Sequence, residues 1–222
     1  MIEPTRPLPA PDSWSLPVPR GRYFGWFALQ YLLWLGLYLG TNGITAGRSV
    51  AQPLLPGEAG LPLLAWTYPF YAVVYLEIVL PLFLSRSRRA YVRTQIACSV
   101  ASLAAFAVYL IAPMPYPRPV HPLVGFWEGL LAFEWSIDEP RCTFPSLHVA
   151  FAWLMYLGLR HEAPRWRPAL LLLAISISIS TVLVKQHFIV DVPSGVALAW
   201  GAWWLAGRWV TRKLPPTSLA VD

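Results

Sequence analysis

Charge is what this chain has least of. Asp, Glu, Lys and Arg together make up 13% of its 222 residues, where a soluble domain of this length carries about a quarter. Hydrophobic residues reach 56% and the mean hydropathy is +0.49. They also come in long uninterrupted blocks, which excludes an ordinary soluble core. Cysteine is nearly missing too. Cys98 falls inside an apolar block and Cys142 beside a histidine motif, so no disulfide framework and no redox compartment follow. The first 20 residues hold Pro4, Pro7, Pro9, Pro11, Pro17 and Pro19 and no apolar core, which excludes a signal peptide there. They read as a disordered Pro-rich cytoplasmic tail that ends in an Arg20/Arg22 anchor. No repeat or composition break marks a second domain. The expected organisation is therefore a tail over 1–20, one membrane catalytic domain over 21–213 and a short tail over 214–222.

What is present are apolar blocks over about 23–40, 61–84, 94–113, 145–159, 168–184 and 188–210. Crossing about 30 Å of hydrocarbon takes roughly 20 residues of helix. Helices alone satisfy every backbone group in such segments. The expectation is an all-α, polytopic membrane protein, a six-transmembrane-helix bundle, with an interfacial loop between helices 3 and 4. The formal charge of +6 does not point to nucleic acid, because the basic residues sit scattered at the block ends. With the N-terminus inside, only Arg48, Arg118, Arg141 and Lys185 of the 17 Lys and Arg residues lie outside. That bias puts both termini in the cytoplasm. The loop over 114–144 carries Trp127, Phe133 and Trp135, suited to an interface. Its acids Glu128, Glu134, Asp138 and Glu139 read as a solvated face. His121 and His161 read as loop residues, and Trp26, Trp66, Trp203, Trp204 and Trp209 as belt anchors.

Three of the four outside cations cluster with two histidine motifs, Arg141-Cys142-Thr143-Phe144-Pro145-Ser146-Leu147-His148 and Lys185-Gln186-His187-Phe188-Ile189-Val190-Asp191, and with Pro117-Arg118-Pro119. Polar groups are costly to keep at the edge of a bilayer and mark sites of chemistry. His187 and Asp191 are four residues apart, one turn on a helix that starts near His187. The carboxylate accepts the proton of one ring nitrogen and leaves the other as a nucleophilic lone pair. His148 opens a helix behind Pro145 and Ser146. Free N–H groups and the dipole there make an anion site, to which Ser146 adds a hydroxyl. His148 then serves as general acid for a leaving oxygen. Arg118 is the foremost cation for the phosphate, since a guanidinium fork matches its geometry. Lys185 follows, and Arg141 is weaker.

The order Arg118-Pro119, then Pro145-Ser146-Leu147-His148, then His187 with Asp191 resembles the type 2 phosphatidic acid phosphatase and haloperoxidase superfamily over about 23–210. The wording around His148 and His187 is similar to its inositolphosphotransferase-like, ceramide-phosphotransferase-like branch. The resemblance implies a phosphohistidine on His187, orientation by Asp191, acid and base work by His148, phosphate held by Arg118 and Ser146, and no metal or cofactor. The chain departs from the superfamily pattern at Ile111, where lysine is usual, at Leu147, where glycine is usual, and at Ser180-Thr181 in place of Ser-Arg.

The expected function is thus an integral membrane lipid phosphatase acting on lipid phosphates or pyrophosphates at the extracytoplasmic or lumenal face of a cell membrane. A head-group phosphotransferase with the same histidines is the alternative. A transporter, or a metal-dependent hydrolase built on His148, His187 and Asp191, is more remote. A soluble haloperoxidase does not fit so apolar a chain. The partner is a membrane lipid. Glu77, an acid inside the second block, is a candidate head-group contact, a partner for Arg118, or a carboxyl bonded within the bundle.

Overall fold

The computed structural model describes residues 13–120 and 124–213. The expectation for His121, and those for the tail over 1–12 and the tail over 214–222, fall outside the described residues. What is described is all-helical. Helix α1 (Arg20–Ile44) is followed by an extended segment with short 3-10 turns at Glu58–Gly60 and Ala65–Thr67. Then come α2 (Tyr68–Ala72), α3 (Val74–Glu77), α4 (Leu80–Leu84), α5 (Arg88–Ile111), α6 (Phe126–Ile137), α7 (Leu147–Leu159), α8 (Arg167–Leu183) and α9 (Asp191–Lys213).

Helix α7 is the hub: nearly every residue from Leu147 to Leu159 is buried, packed on α5, α8 and α9. Small side chains let these helices approach. Ala97, Ala101 and Ala105 line one face of α5, and Ala199, Ala202 and Ala206 one face of α9, the pattern of close helix contacts where packing rather than water drives association. Two glycines mark the tightest approaches. A Cβ on Gly158 of α7 meets Thr94 Oγ1 of α5 at 2.4 Å, and one on Gly195 of α9 meets the Ser146 carbonyl oxygen at 2.7 Å. Ser87 and Ser146 cap α5 and α7, accepting from Ala90 N at 3.2 Å and Val149 N at 3.3 Å, which satisfies one orphan donor at each start.

The described residues support the all-helical expectation but not all six continuous spans. Among the described residues two helices are long and apolar enough to cross a membrane, Arg88–Ile111 and Pro164–Leu183. The block 61–84 is divided into α2, α3 and α4: Pro69 stands in the first turn of α2, and Pro81, which withholds an N–H, starts the first turn of α4. The block 145–159 yields a helix of 13 residues. Helices α1 and α9, at 25 and 23 residues, have the length but fall short in apolarity. The loop over 114–144 contains α6, whose Leu131 and Glu134 are buried against α2 and the Ala65–Thr67 turn.

Candidate active site

The start of α7, the end of α8 and the start of α9 meet at one end of the bundle. Helix α8 stops in a tight reversal. Lys185 adopts φ +57°, and the amides of Gln186 and His187 both return to the Thr181 carbonyl, at 3.2 and 3.1 Å. A left-handed residue just past a helix end closes its last carbonyls in this way. The turn throws Gln186 and His187 toward the start of α7. Asp191 then opens α9, so His187 lies in the connection before that helix rather than on it, a correction to the expected common helical face. The Asp191 carboxylate folds back over the connection instead, with Oδ2 accepting from Phe188 N at 2.9 Å and facing His187 Nδ1 at 3.0 Å.

Nδ1 of His187 also faces the Thr143 carbonyl at 3.0 Å. With two acceptors and no donor around it, Nδ1 carries the proton and Nε2 the lone pair. Nε2 meets Ser146 Oγ at 3.2 Å. That hydroxyl already accepts from Val149 N, so its own proton points at the imidazole. His148 stands across from this ring, the centroids 5.8 Å apart and the planes at 61°. Tyr71 stacks on its face at 4.1 Å, and its Nε2 lies 3.3 Å from the Tyr75 hydroxyl.

Between the two histidines is a cavity of about 40 Å³, whose walls include Tyr38, Tyr71, Asp138, Thr143 and Gln186. Arg118 stands one layer behind. Its guanidinium donates to the Trp135 carbonyl at 2.9 Å, and to the Asp138 carbonyl and Gln186 Oε1 at 2.6 Å each. Burial lowers its pKa, while nearby Asp138 opposes that shift. Lys185 is 5% exposed and is not a wall of the cavity. Burial lowers its pKa and the charge of Glu58 acts against that. Arg141 pairs with exposed Glu139 at 3.3 Å and reaches the Asn42 carbonyl. Glu77 is 2% exposed, and neither of its oxygens has a hydrogen-bond partner among the described residues. It too is outside the cavity wall. The structure therefore gathers His148, His187, Asp191 and Ser146, sets Arg118 behind Gln186, and leaves Lys185, Arg141 and Glu77 apart.

Two acids depart from the expected solvated face. Glu134 is 5% exposed, its oxygens accepting from Tyr68 and Tyr75 at 3.0 and 3.1 Å. Asp138 lines the cavity, accepts from the Tyr38 hydroxyl, and is pushed up to about 6 by burial. Hydroxyls from segments that look apolar satisfy both. The spacing of Tyr68, Tyr71 and Tyr75 carried the signal, since steps of three and four put their rings on one helical face. At the positions where the superfamily cations are missing, Ile111 is exposed, and Ser180 and Thr181 spend their hydroxyls on helix carbonyls, at 2.8 Å each. Among the described residues no group of His, Cys, Asp and Glu has the arrangement of a metal site. Cys98 and Cys142 are free and buried.

An uncharacterized protein of Methanocaldococcus jannaschii is 37% identical over 75 residues, which is 33% of this chain and 31% of that protein. The chain thus matches only about a third of that relative's length. No solved structure matches. A family model described as PAP2 superfamily matches residues 43–205. That stretch holds Arg118 and both histidine motifs together with the helices that bring them to one cavity. On that match the chain belongs to the PAP2 superfamily.

Proposed function

We propose that this protein is an integral membrane lipid phosphatase that acts on lipid phosphates or pyrophosphates through a phosphohistidine on His187. The observation that carries this reading is the pairing of His187, held as the Nδ1–H tautomer by Asp191 and Thr143, with His148 across the cavity at 5.8 Å. Catalytic contacts run at about 3 Å from each reacting nitrogen, and two of them span a distance comparable to that separation. In the first step a phosphoryl oxygen takes the Ser146 proton contact and so frees His187 Nε2. Nε2 bonds to phosphorus, the phosphorus–oxygen bond to the lipid breaks, and His148 gives its proton to the departing oxygen. Water then attacks phosphorus, passes a proton to His148, and the nitrogen–phosphorus bond breaks to release phosphate. Arg118, through Gln186 and the loop carbonyls, supplies positive charge near the transferring group.

Lipid as substrate is supported by a groove of about 200 Å³ between α1 and α5, lined by Phe27, Leu37, Leu103 and Phe106 among others. A small cavity whose walls include His148 shares Trp34, Ile78 and Phe151 with that groove. The expected orientation is supported by the far end of the bundle, where Arg93 stacks on Trp203 at 3.8 Å and Arg160 over Trp200 at 5.7 Å. Cations gather there, as at a cytoplasmic surface, which supports the reading with both termini inside and the histidines outside.

Transfer to an alcohol is the second reading, and Asp138 favours it. A carboxylate in the cavity wall repels an anion but accepts from a hydroxyl of an incoming head group. The test is His187→Ala in purified protein, supplied with phosphatidic acid and with a phospholipid donor. Loss of turnover on both, with no label trapped on the variant, is expected. Unchanged turnover removes His187 as the nucleophile. Free phosphate among the products indicates water as acceptor, and a new lipid indicates the alcohol.

A further inference from the structure

His187 has Asp191 to fix its tautomer, and His148 has a counterpart that lies outside all the motifs. Glu134 on α6 is an acceptor only. Its Oε1 takes the proton of the Tyr75 hydroxyl at 3.1 Å, and its Oε2 that of Tyr68 at 3.0 Å. A phenol has one proton to give. Tyr75 therefore meets His148 Nε2 at 3.3 Å as an acceptor, which assigns the hydrogen of that contact to Nε2. Nδ1 of His148 is left as the atom that exchanges a proton in the cavity. Tyr71, stacked at 4.1 Å and 20°, holds the plane of the ring.

We infer that Glu134 is the positioning residue for His148, acting through the Tyr75 hydroxyl, and that the pair keeps the Nε2–H form and steadies the imidazolium that carries the leaving-group proton. This rests on the reading of His148 as general acid. The proton on Nε2 stays in place through the cycle. The one on Nδ1 goes to the departing lipid oxygen and is replaced by one from the attacking water. The charges facing this ring are those of His187 across the cavity, of Glu134 behind Tyr75, and of Asp138 in the cavity wall. Glu134 is the one tied to it by hydrogen bonds. Buried and satisfied polar chains of this kind fix geometry as well as charge.

The experiment compares two substrates on the full-length chain in detergent. An alkyl phosphate has a leaving group that must be protonated, whereas p-nitrophenyl phosphate leaves without that help. Glu134→Gln and Tyr75→Phe should each lower kcat/KM, which covers the steps up to departure of the leaving group, by about 10- to 100-fold on the alkyl phosphate and by less than about threefold on p-nitrophenyl phosphate. The double variant should be no worse than either single one, as for residues acting in one chain. The alkaline limb of the kcat/KM–pH profile, where His148 loses the proton it donates, should also move to lower pH in both. An equal loss on the two substrates, or losses that multiply in the double variant, would overturn the assignment of Glu134 to His148. His187→Ala tests the underlying reading separately, since it should remove turnover of both substrates. If it does not, the phosphohistidine reading fails first.

Discussion

Replacing Asp191 by Asn changes one charge and almost no shape. Asp191 is 0% exposed. Its Oδ2 receives the Phe188 amide at 2.9 Å and faces His187 Nδ1 at 3.0 Å. An asparagine oxygen in the same place keeps the amide bond but accepts from Nδ1–H without a charge. His187 becomes cationic as its Nε2 bonds to phosphorus, so the lost interaction is one that strengthens in the transition state. A hydrogen bond to a charged group contributes about 1.5–3 kcal/mol. At 1.36 kcal/mol per tenfold in rate the expected loss in kcat is about 10- to 150-fold. Because Asp191 is wholly buried, the upper part of that range is expected. Folding suffers far less. The removed acid is the first residue of α9, where a negative charge interacts with the helix dipole for about 0.3–1 kcal/mol. The assay is phosphate release from a long-chain lipid phosphate in detergent, with Tm followed in parallel and the labelled protein intermediate trapped by rapid quench. A kcat within about twofold of wild type, on a protein that melts normally, would refute the claim that the carboxylate sets the His187 tautomer. A change confined to KM would refute it equally.

Two glycines separate packing from catalysis. Gly158→Ala and Gly195→Ala should each destabilise the protein by about 1–3 kcal/mol through overpacking, seen as a lower Tm. Only Gly195→Ala should also lower kcat, because its new methyl pushes on the Ser146 carbonyl at the start of α7; equal kcat values in the two would refute this. Asp138 supplies a pH prediction. Its carboxyl sits at about 6 rather than 3.8 because of burial, so the folded chain holds that proton more tightly than the unfolded one. The stability this gives is complete below about 4 and is lost as pH rises through about 6. Tm of wild type should therefore fall between pH 4 and pH 7 relative to Asp138→Asn, and parallel curves for the two would count against the buried acid.

The residues that meet at the cavity were easier to read than the backbone that carries them. His148, His187 and Asp191 stood out because polar residues at the mouths of apolar blocks have few structural reasons to be there. Their spacing also limited how far apart they could end up. The i,i+4 relation of His187 and Asp191 survives although its basis changes, since a connection of four residues brings the carboxylate back as effectively as a helical turn does. The block 61–84 misled for the opposite reason. Hydropathy counts side chains and ignores the N–H that Pro81 withholds at the start of α4, so a segment of three short helices reads as one continuous block. That same segment hid the donors. Tyr68 and Tyr75 are apolar by average and polar at one atom each, and these hydroxyls let Glu134 be buried where a solvated acid was expected. Arg118 and Lys185 show what sequence order leaves open. Both flank the motifs, yet the left-handed turn at Lys185 puts Gln186 and His187 at the cavity and leaves the ammonium toward Glu58. A cation two residues from His187 is close to it along the chain only. The side on which it ends is decided by one backbone dihedral.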